Sequence, residues 1–203
     1  MQKNIVLLGM TLSILCLIAA SFQYPGGSPG DSHSVGFQWT ENYISDMLDY
    51  KAVNGAENSA RPLAMVGVIL MGLSTGLAFI RFARKVGVKK YSLVIQYGGA
   101  LVVLLAAMNI IPAWHDLAVS LSITLNLLIF FYITIVLFKS PFAVFKVLSV
   151  VFLAAFYVAT FMYSTRSGLE YMPLVQKITH IIQIAWILGL EYFTRKEDFA
   201  HLA

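Results

Sequence analysis

Charge is what this chain has least of. Lys, Arg, Asp and Glu supply 12% of its 203 residues and hydrophobic types 59%, where soluble domains carry about a quarter charged. With a mean hydropathy of +0.77, that balance excludes an ordinary soluble domain and points to an integral membrane protein. Cysteine is nearly absent too. Cys16 stands alone inside an apolar run, which excludes a disulfide framework or a thiolate metal cage from one chain. Leu15 before it is not the small residue that a lipid-attachment signal wants. The chain also lacks a Gly-rich phosphate loop, a nucleophile elbow, a dinucleotide fingerprint, H-E-x-x-H and C-x-x-C, as well as internal repeats and low-complexity tracts. The net charge of +4 is no nucleic-acid signal, because the basic residues flank apolar segments as topology markers.

What is present is a series of apolar runs of bilayer length. Ile5 to Phe22 is as long as the membrane core requires and longer than most signal-peptide cores, so it reads as span one. Span two covers about Pro62 to Phe82, span three Tyr91 to Ile111, span four Leu117 to Phe138, span five Phe142 to Tyr163 and span six Pro173 to Phe193. Backbone groups in lipid must be satisfied internally, and no ten-residue alternating strands occur, so the expected fold is all-α: one polytopic bundle of six transmembrane helices over residues 1–203. Gly72 and Gly76 in span two form a small-xxx-small face, expected to serve packing within the bundle. Lys and Arg number ten on one side of this topology and four on the other. That places both termini in the cytoplasm, in a bacterial inner membrane.

The longest stretch without an apolar core is Gln23 to Arg61, which reads as a partly helical extracytoplasmic cap. Pro25 to Gly30 and Asn54-Gly55 are turn signals, and Asn58 or Ser59 can cap span two, with Pro62 in its first turn. Trp39 to Asp49 has helical spacing: Trp39, Tyr43, Ile44, Met47 and Leu48 on one face, Glu41, Asn42, Ser45, Asp46 and Asp49 on the face toward water or a polar cavity.

Polar groups at membrane depth need a partner, a wet cavity or a task. Gln176, His180 and Gln183 form a stripe on span six, with Thr179 and Lys177 beside it. His115, Ser122 and Asn126 share a face of span four. Asn109 and the hydroxyls of Tyr157, Thr160 and Tyr163 come from spans three and five. Glu191, four residues before Arg195, reads as an ordinary helix-end ion pair. The candidate ligand-binding set is therefore Asp46, Arg61, His115, Asp116, His180, Gln176 and Gln183, lining an outward cavity for the headgroup of a membrane lipid or other small amphiphile. In that cavity Arg61 would meet a phosphate or carboxylate.

Two other functional classes stay open. Asp46, His115 and His180 could hold a divalent metal or shuttle protons in a lipid-directed hydrolase or acyl-transfer enzyme, with Ser45 as a nucleophile if a histidine reaches it. Adjacent helical residues diverge, so the carboxylate orienting His115 is expected from another helix rather than from Asp116. No cofactor is required by the sequence; besides the metal, a bis-histidine haem between spans four and six is chemically admissible. Alternatively the polar stripes are interhelical glue in a non-enzymatic membrane scaffold, and the oligomeric state, including a homo-oligomer, is left open.

Three short motifs carry a resemblance: Tyr43-Ile44-Ser45-Asp46, Asn58-Ser59-Ala60-Arg61 leading into span two, and His115-Asp116 opening span four. The chain resembles a bacterial six-span membrane family of unknown function that is distantly similar to the FRAG/DRAM/Sfk group. The eukaryotic relatives imply roles near lipid remodelling of membrane anchors or membrane trafficking. The bacterial family implies no established activity.

Overall fold

The computed structural model describes residues 4–202; Lys3, counted above as a topology marker, lies outside them. Six helices follow in order: α1 Ile5–Gln23, α2 Arg61–Ala83, α3 Lys89–Asn109, α4 His115–Phe138, α5 Ala143–Thr165 and α6 Met172–Phe193. All six are long and apolar enough to cross a membrane, and the described residues form no strand beyond two isolated bridges in the cap. Each span expected from hydropathy appears within about two residues of its place, because a backbone in lipid can only close its hydrogen bonds along the segment itself.

Small residues set the closest approach. A Cβ placed on Gly76 would lie 2.4 Å from the carbonyl oxygen of Gly99, and one on Gly72 would lie 2.1 Å from the Ala106 Cβ. The small-xxx-small face of α2 thus packs backbone to backbone on α3 within the bundle.

The main core sits in the half of the bundle away from the cap. Phe130 lies edge-on to Phe79, Phe152, Phe156 and Trp186, while Ile129, Ile133 and Leu137 of α4 are fully buried beside it. Trp186 donates its indole N–H to Ser149 Oγ at 2.9 Å, which satisfies the one polar atom of this aromatic cluster. The 3-10 segment Lys196–Leu202 folds back beneath it and buries Phe199 against Phe82. At this end Glu191 does not pair with Arg195 as expected. It turns inward and is buried, with Arg81 Nε at 2.5 Å and Lys85 Nζ at 3.8 Å. A carboxylate drawn out of water takes the cations that can follow it into the bundle. Burial there pushes the Lys85 ammonium below its ordinary range.

The cap is a second, smaller core in which Tyr24, Phe37, Met47 and Leu48 pack over Ala20, Ala60 and Ala64. The helix expected from Trp39 to Asp49 is not there: only Ile44–Leu48 is helical, as a 3-10 turn. Trp39 is 47% exposed, and Asn42, expected to face water or a polar cavity, is fully buried. The Asn42 side chain explains the difference, since its Oδ1 accepts from the Gln38 N–H and its Nδ2 donates to the Gly27 carbonyl. Those bonds fix a turn where the apolar spacing alone would permit a helix.

Candidate functional site

The cap is fastened to the bundle by side chains of α6 and α2 and by residues flanking α1 and α2. From α6, Lys177 is almost fully buried; its Nζ donates to the carbonyls of Asn42 at 2.6 Å and Pro173 at 3.0 Å and lies over the Phe37 ring. One turn face away, Gln176 Oε1 accepts the Ile44 N–H at 3.0 Å. Asp46 Oδ2 accepts from Asn42 Nδ2 and from the Tyr43 N–H, both at 2.9 Å. Burial nevertheless raises the Asp46 carboxyl above its ordinary range, outweighing these bonds and the attraction of Lys177. Within the cap, just before α2, Asn58 Nδ2 donates to the Asp46 and Asp49 carbonyls. Arg61 Nε donates to the Leu48 carbonyl at 2.9 Å, with its guanidinium 4.1 Å from the centre of the Tyr50 ring. Ser59 Oγ, just before α2, donates to the carbonyl of Gln23 at the end of α1, and Tyr24 Oη, just after α1, accepts the Val53 N–H. Neither Asn58 nor Ser59 caps α2 by the standard side-chain bond; both are spent on this fastening.

Asp46 and Gln176 therefore belong to a clasp together with Asn42 and Lys177. Sequence reasoning placed Lys177 beside the polar stripe and gave it no role. Its signal was there: a lone lysine in the apolar part of span six requires a buried partner. Arg61 instead lines a shallow polar depression with Tyr50, Lys51, Glu57, Asn58 and Ser59 on the cap surface.

His115 and Asp116 open α4, and contrary to expectation the two neighbours do meet, Nδ1 to Oδ1 at 3.2 Å. At the first residue of a helix no preceding turn stands in the way of the ring. Asp49 of the cap lies close enough for His115 and Arg61 to draw its carboxyl pKa down, although burial still leaves it raised. His180 has Gln183 and Lys177 as its polar neighbours. Among the described residues no three His, Cys, Asp or Glu side chains come together as a metal site, and no hydrogen bond joins Ser45 to a histidine.

The remaining polar residues share one geometric property. On α6, Gln176, His180, Gln183 and Ile187 occupy successive turns of one face. Ile187 is buried in the core, Gln176 and Gln183 are half-buried, and His180 is exposed. On α4 the face of Ile133 and Ile129, both fully buried, continues toward the cap as Asn126, Ser122 and His115, all half-buried. On α5 the face of Phe152 continues as Phe156, Thr160 and Tyr163, none of them buried. Above the aromatic core these polar positions are less buried than the residues below them, whereas Ala118 of α4 and Thr179 of α6 stay buried in the same half. Asn109 on α3 and Asn126 on α4 each keep a buried Oδ1 with no hydrogen-bond partner among the described residues.

The same turns of α4 border an apolar groove on the outside of the bundle. Its volume is about 770 Å³, and its lining includes Leu101, Leu104 and Leu105 of α3 and Leu121, Leu125 and Leu128 of α4, with Thr124 its one polar lining residue. That size is within the roughly 300–1,000 Å³ of ligand pockets. At the cap end of the groove, Asn109 follows Leu105 by one turn, and Trp114 lies half exposed at α4's start. No family model, curated protein or solved structure matches the chain.

Proposed function

We propose that this protein binds a membrane lipid or similar amphiphile in its cap half, with a hydrocarbon chain along the α3–α4 groove and the polar end in a crevice that opens among the polar groups of α4, α5 and α6 to receive it. The observation that carries this reading is the division of labour on α4. Leu121, Thr124, Leu125 and Leu128 line the groove, while Ser122 and Asn126, on the same two turns, continue the inward face of Ile129. A molecule with one polar and one apolar end matches both surfaces at the same depth.

We further propose the orientation that the charges favour, cap outward and both termini in the cytoplasm of a bacterial inner membrane. Arg81, Arg84, Lys85, Lys89 and Lys90 cluster at the end opposite the cap. Labelling of Asn54→Cys but not Lys89→Cys from outside is the expected result; the reverse pattern defeats the orientation. The hydrolase or acyl-transfer reading draws less support, because Asp46 is engaged in the clasp while His115 pairs with Asp116. The scaffold reading differs in what it expects of these side chains, since interhelical glue should destabilise the protein when removed and site residues should not. The likeness of Tyr43-Ile44-Ser45-Asp46 to the six-span family remains compatible with a lipid ligand.

Native mass spectrometry of gently purified protein tests the proposal. Wild type should retain a lipid, and the double variant Asn126→Leu, His180→Leu should retain much less of it. Equal retention of the same lipids by both proteins overturns the site.

A further inference from the structure

We infer that the polar depression on the cap, at the start of α2, is a second binding site, separate from the α3–α4 groove. It takes the headgroup of a membrane lipid that carries both a phosphate and a primary ammonium, as in a phosphatidylethanolamine. The depression holds about 460 Å³ and is lined by charges of both signs, Arg61 and Lys51 with Glu57. Arg61 spends its Nε on the Leu48 carbonyl and lays its guanidinium over Tyr50. Its two Nη atoms make no hydrogen bond among the described residues, and a guanidinium with an open edge suits a phosphate. Lys51 and Glu57 stand opposite each other across an antiparallel bridge, so their side chains leave on the same side. Both are exposed, and neither joins an ion pair among the described residues.

A phosphate alone would answer the two cations and leave Glu57 beside a like charge, whereas a headgroup that adds an ammonium answers all three. Asp49 lies outside the lining; its strongest charge partner is His115, with Arg61 second, so Glu57 is the carboxylate left to the depression. A trimethylated ammonium has no N–H to donate to Glu57 and is held by cages of aromatic rings. Tyr50 is the one ring lining the depression, and Arg61 already covers one of its faces. The helix below points to a lipid as the source. Arg61 opens a 23-residue apolar span, which sets the depression at headgroup level. Pro62 lines the depression, and Val66, Ile69 and Leu73 follow it on one face of α2. Val66 and Leu73 are 47% and 45% exposed, so a headgroup held at Arg61 has a stripe for its hydrocarbon directly beneath it.

Dioleoylphosphatidylethanolamine, dioleoylphosphatidylcholine and dioleoylphosphatidylglycerol share their chains and their phosphate, so they isolate the ammonium. The full-length protein in nanodiscs holding the three at equal mole fraction is released for native mass spectrometry. Wild type should retain the ethanolamine lipid roughly fivefold over each of the others, what a charge pair at a partly wetted surface confers. Glu57→Gln should bring that preference toward unity, and Lys51→Gln should lower retention of all three. Both side chains are exposed and unbonded, so these variants keep the cap folded. Asn126→Leu, His180→Leu should leave the preference as it is. No preference in wild type overturns the ammonium, and an unchanged preference in Glu57→Gln overturns the depression as its seat. A preference lost in Asn126→Leu, His180→Leu moves the selectivity to the other site and overturns this one. Glycerophosphoethanolamine, the same headgroup without chains, is added at equal concentration to a parallel sample; its retention in place of the lipid overturns the lipid occupant.

Discussion

The two halves of this bundle use the same six helices for opposite ends. Away from the cap, α4, α5 and α6 interlock through Phe130, Phe152 and Trp186, the last two burying all but 1% of their surface or more. Toward the cap the same helices carry Asn126, Thr160 and His180, each less buried than that core, while Thr179, two turns above Trp186 on its face, stays buried. Lipid tails are as apolar as leucine, so only close side-chain packing or hydrogen bonding holds helices together in a membrane. Where aromatic packing stops, the cap takes over as the fastening, through Lys177 and Gln176 of α6 and Arg61 of α2. On the proposed function, the layer between these two levels is where a ligand would enter.

The largest effect should come from breaking the packed half. Trp186→Ala removes a side chain that is 1% exposed and leaves Ser149 Oγ without the indole donor. It should cost about 3–5 kcal/mol, read as a large drop in melting temperature in detergent. Removing the clasp should rank second. Lys177→Met deletes the donor to Asn42 and Pro173 and leaves Asp46 buried without its nearest cation. About 2 kcal/mol is the expected loss, toward the lower end for an uncompensated buried group. Proteolysis within residues 23–61 should accelerate while the spans stay intact. A Lys177→Met protein with an unchanged cleavage rate would show that the cap is held by its α1 and α2 contacts alone.

How much of this contrast the sequence revealed depends on which force sets each part. The spans were legible because a 20-residue apolar run has one solution in a bilayer, and the packing role of Gly72 and Gly76 followed from their size. The polar inward faces of α4 and α6 could be read from periodicity, since His115, Ser122 and Asn126 and then Gln176, His180 and Gln183 fall at helical spacing. What periodicity could not show is which polar groups are already spent. Asp46, Gln176 and Arg61 looked like site residues, yet each bonds the cap backbone or an adjacent side chain. Asn42 misled for the same reason: its side chain makes three hydrogen bonds within the cap, to Gln38, Gly27 and Asp46, and so fixes a turn that no apolar pattern records. Glu191 was assigned its sequence neighbour Arg195 because the fold that delivers Arg81 from 110 residues away is invisible along the chain.

The clasp also makes the cap's stability respond to pH. Burial raises the Asp46 carboxyl above its unfolded value, so the folded cap binds a proton more readily than the unfolded one. Its stability contribution is greatest below the unfolded value and declines as pH rises through the window just above the ordinary carboxylate range, with no further change once the folded group has ionised. Asp46→Asn keeps an oxygen for Asn42 Nδ2 and for the Tyr43 N–H, so it should flatten this pH dependence. Near neutral pH it should change stability by less than about 1 kcal/mol. Hydrogen exchange of the cap amides between pH 4 and 7 measures it, and a slope that survives in Asp46→Asn assigns the dependence to Asp49 instead.

The smallest effect sharpens the comparison most, because it asks whether the open layer contributes to stability at all. If the crevice groups were interhelical glue, His180→Leu and Asn126→Leu would each destabilise the protein. If they are site residues, removing them relieves unpaired polar surface at membrane depth, and stability should hold or rise by about 0.5–1 kcal/mol. Asn126 is the more decisive of the two, since its Oδ1 is buried without a partner and leucine fills nearly the same volume. Melting temperatures of delipidated wild type, Asn126→Leu and His180→Leu, compared with the same proteins after lipid is added back, give the answer. The variants should match or exceed wild type without lipid and gain less than wild type when lipid is restored. Destabilisation of both variants before any lipid is added would move the crevice into the class of structural contacts and erase the difference between the two halves.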